Sequence, residues 1–315
     1  MEFEGSDIIS VNQFDRPDLD KVFKVADGLP DAAKGRVNCT VLDGKILANV
    51  FLEASTRTRM CLAAAFMRLG GKVNDTTGMS FSSISKGETL EDTMKVMGIM
   101  CDVMALRTSN VGDAGIAAAE TSVPVINAGD GEGEHPTQAL LDAYTIQAEN
   151  GGIDGQTVTM TGDLMHGRTV HSLAQLLSRY DDIKYIFAAP DVLQMPEVIV
   201  SRLKSDGFSV TQTDDFDAAL PESDVLYSTR LQDERHKNGV DFSKKLDESF
   251  QLTRGKVKDL CKGDVTIMHP LPRRDEIDTD VDDLPNAAYF RQVEYGLQVR
   301  MALYLLIFGK EKGLE

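Results

Sequence analysis

Residues 46–71, ILANVFLEASTRTRMCLAAAFMRLGG, contain the pattern that decides the fold. Residues 46–52 are apolar apart from one asparagine, which is typical of a strand buried in a parallel sheet. A polar turn follows, after which Leu62, Phe66 and Leu69 recur on one helix face until a Gly-Gly pair ends the helix. The stretch therefore predicts a strand, a turn and a helix, in that order.

The same alternation continues along the rest of the chain. Strands that alternate with helices form parallel sheets covered on both faces by helices, so the predicted fold class is α/β. A final apolar pattern at 295–308 predicts a long helix that must pack on one of the sheets. The further predicted strands are residues 103–106, 123–126, 157–161, 185–189, 225–227 and 265–268.

The length of 315 residues suits two domains of this kind, each a parallel sheet flanked by helices. The strand–helix pattern restarts after a Gly-Gly pair at 151–152, so we place the boundary in the helix that begins near His135. We predict one domain from 1–134 plus 293–315, and a second from 135–292.

The composition is that of a globular protein with an acidic bias. A formal net charge of −17 disfavours nucleic acid and anionic membranes as partners, and it requires any anion site to be a local basic region. No apolar run approaches the ~20 residues of a membrane helix, and the first residues do not resemble a secretory signal. The 4 cysteines are scattered, which is typical of free thiols in a reducing compartment, so we expect a cytoplasmic protein.

Polar and basic residues follow the predicted strands. Because ligands bind beyond the carboxyl ends of strands in open parallel sheets, we expect a functional site among these residues. They supply hydroxyl, guanidinium, imidazole and amide groups, which suit anionic ligands. The segments are residues 53–59, 107–109, 127–138, 162–169, 228–232 and 269–274.

The segment Ser55-Thr56-Arg57-Thr58 has the chemistry of a phosphate site. Ser55 can cap the following helix, whose first N–H groups point outward, and the two threonines and the arginine add donors. Taken alone, the same residues are equally compatible with an ordinary helix cap followed by surface arginines.

Other candidate residues leave two interpretations open on their chemistry alone. Arg107, directly after a strand, is either a second phosphate ligand or a solvated arginine. His135 is either a ligand or a structural residue, as a helix cap or a satisfied core histidine, and Gln138 lies one turn further on the same helix face. The polar loop 82–89, which contains Lys86, is either a surface loop or a basic lid.

A series of motifs, in their order and spacing, resembles the catalytic chain of the aspartate carbamoyltransferase family. The resemblance covers residues 51–300. The first motif is common to carbamoyltransferases, whereas the ornithine enzymes have a cysteine in place of Pro270. The motifs are Ser-Thr-Arg-Thr-Arg at 55–59, His-Pro-Thr-Gln at 135–138, Gly-Arg-Thr-Val-His at 167–171, Thr-Arg-x-Gln-x-Glu-Arg at 229–235 and His-Pro-Leu-Pro-Arg at 269–273.

The resemblance implies transfer of the carbamoyl group from carbamoyl phosphate to the amine of L-aspartate, an early step of pyrimidine biosynthesis. It assigns carbamoyl phosphate to the first domain and aspartate to the second. We expect catalysis by bringing two anions together and by stabilising the oxyanion, with the departing phosphate accepting the amine proton. No cofactor and no metal are expected, because the sequence has no Cys/His ligand cluster.

The resemblance also implies the substrate ligands. For carbamoyl phosphate these would be Ser55, Thr56, Arg57 and Thr58 on the phosphate, Thr58, Arg107 and His135 on the carbonyl oxygen, and Gln138 on the carbamoyl amine. For aspartate these would be Arg168, Arg230 and Gln232 on the carboxylates, and the backbone at Pro270 and Leu271 on the reacting amine groups.

The family's catalytic unit is a homotrimer with shared active sites. The resemblance implies that Ser82 and Lys86 reach into a neighbouring subunit's site. Glu53 would bridge to Arg168 and Arg235 and hold the two domains closed. The resemblance leaves open whether a regulatory chain or a dihydroorotase is a further partner.

Two alternative functions remain. A carbamoyltransferase for another amino acid is disfavoured by Arg230-x-Gln232, and an inactive homologue that acts as a scaffold is disfavoured because Lys86 and His135 are present. An unrelated nucleotide-binding domain lacks support, because neither G-x-G-x-x-G nor a P-loop follows the first strand. The positions that depart from the family's pattern, none of them assigned to a substrate, are Met60, Cys61, Ser85 and Met165.

Overall fold

The computed structural model describes residues 1–77, 83–232 and 248–312. The strands are β1 (Ile46–Phe51), β2 (Lys72–Thr77), β3 (Val103–Thr108), β4 (Val125–Asp130), β5 (Thr157–Gly162), β6 (Lys184–Ala188), β7 (Ser209–Thr213), β8 (Val225–Thr229) and β9 (Thr266–Met268). The helices are α1 (Arg16–Asp27), α2 (Pro30–Ala33), α3 (Thr56–Arg68), α4 (Leu90–Ile99), α5 (Asp113–Glu120), α6 (Pro136–Asn150), α7 (Arg168–Leu177), α8 (Glu197–Ser205), α9 (Phe216–Ala219), α10 (Arg254–Leu260) and α11 (Arg291–Ile307).

The chain divides into two units. Unit 1 comprises Met1–Leu141 and Glu294–Glu315, and unit 2 comprises Asp142–Val293. The chain therefore passes from unit 1 to unit 2 within α6 and returns within α11. Each unit contains one all-parallel sheet with helices between successive strands, as the sequence predicts.

The sheet of unit 1 has the strand order β2-β1-β3-β4. The chain leaves β1 toward β2 on one side and later places β3 on the other side, so β1 and β3 form a topological switch point. The loops that follow these two strands border the crevice in which such sheets bind ligands. In the β1–β3 register, Phe51 pairs with Arg107, which places the predicted residues 53–58 beside Arg107.

The sheet of unit 2 has the strand order β7-β6-β5-β8-β9, with its switch point between β5 and β8. At the carboxyl end of this pair, Gly162 lies opposite Thr229. Gly162 has a φ of +104°, and a Cβ atom built on it would lie 1.8 Å from the carbonyl oxygen of Thr229. Only glycine therefore fits at this point of closest approach.

Each sheet is held by its own apolar core. In unit 1, Val50, Met104 and Leu106 of the central strands pack with Met94 of α4. In unit 2, the stacked rings of Phe216 and Phe250 lie 5.9 Å apart within such a core. Burying one apolar side chain such as Val, Leu, Met or Phe stabilises the folded state by roughly 1.5–3 kcal/mol.

The final helix α11 contributes to unit 1 through its residues from Glu294 onward. The ring of Tyr304 lies 4.9 Å from that of Phe66 on α3, edge to face, and both residues are buried. The backbone N–H of Gly5 donates to the carbonyl oxygen of Ile307 at 2.9 Å. The two ends of the chain are therefore both part of unit 1.

Two strands were not predicted. β2 has the sequence KVNDTT and β7 has the sequence SVTQT, and both lie at sheet edges where their side chains are largely exposed. Polar edge strands lack the apolar run by which buried strands are recognised. In addition, β4 begins at Val125 rather than at residue 123 and continues to Asp130.

Within the described ranges, no helix has both the length and the apolarity that a membrane crossing requires.

Candidate active site

The first part of the candidate site is the turn from β1 into α3. Ser55 occupies the N-cap position with extended backbone, as predicted, but its hydroxyl makes no capping hydrogen bond to the described first turn. Thr56 and Arg57 are exposed, whereas Thr58 is buried. The start of a helix of 13 residues is thus lined with hydroxyl and guanidinium groups, which is suitable for an anion.

Thr58 brings this turn into contact with the start of α6. Its hydroxyl oxygen lies 3.5 Å from Nε2 of His135, and both side chains are buried. Gln138, in the first turn of α6, is also buried. The structure therefore brings together three of the predicted carbamoyl phosphate ligands within unit 1.

Arg107 lies at the carboxyl end of β3 and is only 9% exposed. Its Nη2 donates to a carboxylate oxygen of Glu53 at 2.5 Å, and its Nη1 donates to the carbonyl oxygen of Ala128 at 3.3 Å. A buried guanidinium requires such partners, because an uncompensated charge is costly to bury. The alternative of a solvated surface arginine is therefore wrong.

The other predicted residues of unit 1 have separate positions. Lys86 ends a short 3-10 helix, Ser83–Lys86, and is exposed. Glu53 pairs with Arg107, while its predicted bridges to Arg168 and Arg235 stay predictions. Ser82 and Arg235 lie outside the described residues.

Arg59, the second arginine of the Ser-Thr-Arg-Thr-Arg motif, has a structural contact. Its Nε donates to Asp75 of β2 at 2.8 Å, and Asn49 of β1 donates to the other oxygen of Asp75 at 2.9 Å. Arg59 therefore ties α3 to the edge of the sheet, whereas Arg57 faces solvent.

In unit 2, Asp163 joins the two loops of the switch point. This carboxylate is fully buried, and its two oxygens accept from the backbone N–H groups of His166 and Gln232, each at 3.0 Å. Arg168 follows as the first residue of α7 and is buried. The sequence places Asp163 at a strand end but indicates no role for it, because its partner Gln232 lies 69 residues away.

Arg230 and Gln232 form one turn after β8. Nη1 of Arg230 donates to the carbonyl oxygen of Leu231 at 2.8 Å, and the Gln232 amide donates to the carbonyl oxygen of Arg230 at 3.3 Å. Both residues are half-buried. Asp163 therefore holds the backbone of Gln232, one of the predicted aspartate ligands.

The segment after β9 contains Pro270 and Leu271, which are half-buried. Leu271 has a φ of +55°, and its N–H donates to Nδ1 of His269 at 2.7 Å. Nε2 of His269 lies 2.6 Å from a carboxylate oxygen of Glu276. Burial alone would raise the pKa of Glu276, but the hydrogen bonds from His269 and from backbone N–H groups hold this pKa below its ordinary value.

Arg273, the last residue of the His-Pro-Leu-Pro-Arg motif, is bound to a structural partner. It donates through both Nη atoms to Asp282, and Tyr289 also donates to that carboxylate. The bond from Arg273 lowers the pKa of Asp282. Arg273 therefore anchors the segment after β9 and is not among the predicted ligands.

A buried hydrogen-bond network supports the same segment. Oε1 of Gln292 accepts from the backbone N–H of His269 at 3.0 Å, and its amide donates to Asp142 at 2.6 Å. Asp142 also accepts from the hydroxyl of Tyr227 at 2.7 Å. Gln292 lies 23 positions from His269 and 150 positions from Asp142, so no local pattern in the sequence indicates these bonds.

No group of three or more His, Cys, Asp or Glu side chains in the described ranges could hold a metal ion.

Both units match models of one protein family. Residues 6–148 match the domain described as "Aspartate/ornithine carbamoyltransferase, carbamoyl-P binding domain", and residues 154–307 match its "Asp/Orn binding domain".

Full-length relatives and solved structures agree with this match. The aspartate carbamoyltransferase catalytic subunit of Dichelobacter nodosus is 45% identical over 100% of this chain and 93% of its own length. That of Thermococcus onnurineus is 44% identical over 99% of this chain and 100% of its own length.

Among solved structures, the catalytic subunit of M. jannaschii aspartate transcarbamoylase is 40% identical with a TM-score of 0.90, covering 98% of this chain and 99% of its own. Aspartate transcarbamoylase from Trypanosoma cruzi, in complex with carbamoyl aspartate and phosphate, is 39% identical with a TM-score of 0.88, covering 97% and 96%. This chain therefore belongs to the aspartate/ornithine carbamoyltransferase family, among the aspartate carbamoyltransferase catalytic subunits.

Proposed function

We propose that this chain transfers the carbamoyl group of carbamoyl phosphate to the amine of L-aspartate, giving N-carbamoyl-L-aspartate and phosphate. The observation that carries the proposal is the contact between the buried Thr58 and His135, with the buried Arg107 at the carboxyl end of the adjacent strand β3, in a chain similar to aspartate carbamoyltransferases over its full length. The Trypanosoma cruzi relative has been solved with carbamoyl phosphate, and with carbamoyl aspartate and phosphate.

Carbamoyl phosphate binds in unit 1. Its phosphate lies at the start of α3, where the first N–H groups of the helix and the side chains of Ser55, Thr56 and Arg57 supply donors. Thr58, Arg107 and His135 donate to the carbonyl oxygen. Gln138 binds the carbamoyl amine.

Aspartate binds in unit 2. Arg168, Arg230 and Gln232 bind its carboxylates, because charge-assisted hydrogen bonds from arginine suit a carboxylate. The carbonyl groups of Pro270 and Leu271 accept from the reacting amine groups. The buried Asp163 supports this arrangement, since it holds the loops after β5 and β8 together.

The reaction is attack by a neutral amine on the carbonyl carbon. A C–N bond forms, the bond between carbon and the phosphate oxygen breaks, and the departing phosphate takes the amine proton. The donors on the carbonyl oxygen stabilise the charge that develops there, and losing one such donor typically costs about 3 kcal/mol of transition-state stabilisation. No step requires a covalent nucleophile from the protein.

The active unit is a homotrimer in which Ser82 and Lys86 complete a neighbour's site. The exposed position of Lys86 at the end of its 3-10 helix supports this role, since the side chain lies on the surface of its own subunit. Closure of the two units on the substrates uses Glu53, Arg168 and Arg235. The protein acts in the cytoplasm, where it catalyses a step of pyrimidine biosynthesis. It does so alone or together with a regulatory chain or a dihydroorotase.

The direct test measures product formation from carbamoyl phosphate with L-aspartate and, in parallel, with L-ornithine. We expect carbamoyl aspartate and no carbamoyl ornithine. Carbamoylation of ornithine alone would identify the alternative amino acid specificity, and no product with either amine would favour the inactive homologue.

A further inference from the structure

The hydrogen bonds of His269 determine which of its ring nitrogens carries the proton. A backbone N–H can only donate, so Nδ1, 2.7 Å from the nitrogen of Leu271, must accept. The hydrogen of the neutral ring is therefore on Nε2 and points at the carboxylate of Glu276, 2.6 Å away. A carboxylate is only an acceptor, so Glu276 selects this tautomer.

The position of the ring is fixed as well. His269 is 1% exposed, and its own N–H donates to Gln292, which in turn donates to Asp142. The backbone and both ring nitrogens of His269 therefore have defined partners. Such a residue has little freedom to reorient.

The bond to Leu271 fixes a peptide plane of the candidate site. The Pro270–Leu271 peptide is planar, and in a trans peptide the carbonyl oxygen and the N–H point in opposite directions. When the N–H of Leu271 points at His269, the carbonyl of Pro270 points away from it. The positive φ of Leu271, +55°, is unfavourable for a non-glycine residue and persists only where neighbouring contacts hold it.

We propose that His269 is a positioning residue for the aspartate half of the site, held in its Nε2–H tautomer by Glu276. Through the Pro270–Leu271 peptide it aims the Pro270 carbonyl at the attacking amine. This inference rests on the proposed function, in which that carbonyl accepts from the amine. Carbamoyl phosphate binding, assigned to unit 1, is independent of it.

Two matched substitutions separate the two hydrogen bonds of the ring. His269→Asn places an amide oxygen near the position of Nδ1 and keeps an acceptor for Leu271. His269→Gln places an amide nitrogen near the position of Nε2 and keeps the bond to Glu276, but it removes the acceptor. If His269 had only a structural role, the activity of each variant would fall only in proportion to its loss of stability. Thermal unfolding of both variants is therefore measured alongside their kinetics.

We expect His269→Gln to lower kcat/KM for aspartate by roughly tenfold or more, the effect of one lost hydrogen bond at the reacting geometry. Carbamoyl phosphate affinity, measured by calorimetry, stays within a few-fold of the wild-type value. His269→Asn retains clearly more activity than His269→Gln at equal thermal stability. Equal activity of the two variants would overturn the inference.

The tautomer is read directly from long-range ¹H–¹⁵N spectra of the intact protein labelled at its 5 histidines, with His269→Asn assigning the His269 signals. We expect a neutral ring protonated at Nε2 in the wild type at pH 7. In Glu276→Gln, whose amide can donate as well as accept, this preference weakens. A wild-type ring protonated at Nδ1 would overturn the inference, whereas an intact tautomer in a protein that does not carbamoylate aspartate would overturn the proposed function instead.

Discussion

Arg59, Arg107 and Arg273 all belong to strand-end segments that sequence analysis selected as anion sites, and each is paired with a carboxylate of its own unit. Arg59 contacts Asp75, Arg107 contacts Glu53, and Arg273 contacts Asp282. The charge of Arg107 lies at the predicted ligand cluster, whereas the other two arginines stabilise the fold. The sequence therefore identifies segments that are rich in arginine, but only the structure shows which of these arginines are paired with carboxylates of the protein.

Two less buried arginines, Arg57 and Arg230, allow the roles of the two units to be tested separately. We predict that Arg230→Ala raises KM for aspartate and lowers kcat/KM. The expected decrease corresponds to a loss of a few kcal/mol of transition-state stabilisation, because a charge-assisted bond is removed. Carbamoyl phosphate affinity in this variant, measured by calorimetry, changes by no more than a few-fold.

The matched variant is Arg57→Ala. Arg57 is exposed, so we expect Arg57→Ala to change the stability of the fold little and to weaken carbamoyl phosphate binding instead. A loss of carbamoyl phosphate affinity in Arg230→Ala, with aspartate kinetics spared, would reverse the assignment of substrates to the two units.

Gly162 is a residue at which the surrounding backbone leaves no room for a side chain. We predict that Gly162→Ala destabilises the protein by several kcal/mol, because a Cβ would collide with the Thr229 carbonyl and because φ is +104°. Unfolding in urea measures the loss. Gly152→Ala is the control, since a Cβ there meets no atom within 4 Å, and equal stability of the two variants would show that the strands can separate to admit the methyl group.

In both sheets, an aspartate joins the two central strands at the end opposite the candidate site. Asp102, just before β3, accepts from the N–H of Ile46 at the start of β1 at 2.9 Å. Asp224, just before β8, accepts from the N–H of Thr157 at the start of β5 at 2.7 Å. Each carboxylate also accepts from a lysine. Nζ of Lys45 donates to Asp102 at 2.8 Å, and Nζ of Lys262 donates to Asp224 at 2.5 Å.

We predict a pH-dependent contribution of this element to stability. Burial alone would raise the pKa of Asp224, but the hydrogen bonds from Lys262 and Thr157 hold it below the ordinary value of 3.8. A depressed pKa means that the stabilisation is present above pH 3.8 and is lost as the pH falls through the lower folded-state pKa.

Asp224→Asn should therefore unfold more easily than the wild type at pH 7, by on the order of 1 kcal/mol. The difference should persist at pH 5 and narrow only near pH 4 and below. Urea titrations of both proteins across this range measure it, and a difference that disappears already between pH 7 and pH 5 would assign the effect to another group.

The elements differ in how well sequence alone predicted them. The central strands can be predicted because they carry apolar residues, in runs in β1 and β3 and alternating with threonine in β5. Their order in the chain is enough to place 53–58, 107–109 and 228–232 at carboxyl ends. The edge strands β2 and β7 were missed, because half-exposed strands carry no apolar run. The bonds between Asp163 and Gln232 and between His269 and Gln292 could not be predicted, since they join residues 69 and 23 positions apart and leave no local pattern.

At the scale of the whole molecule, the proposed sharing of active sites in a homotrimer can be tested without a structure of the assembly. Lys86→Ala and His135→Ala are made separately, and each protein alone should be nearly inactive. When the two are unfolded, mixed and refolded, about one quarter of the sites in randomly mixed trimers combine an intact His135 with an intact Lys86 from the neighbour. Activity should return to that extent.

Each variant refolded with itself is the control, and native mass spectrometry shows whether hybrids have formed. Hybrids that remain as inactive as their parents would show that Lys86 acts within its own chain.

The return of α11 to unit 1 has a consequence for synthesis on the ribosome. Unit 2 is encoded as one continuous stretch, Asp142–Val293, and emerges complete while the first unit still lacks its last helix. Until then, Phe66 of α3 has no Tyr304 to cover it. The half of the protein that is made first is therefore the last to be finished, and a nascent chain stopped short of residue 304 would expose the apolar face of α3 to chaperones.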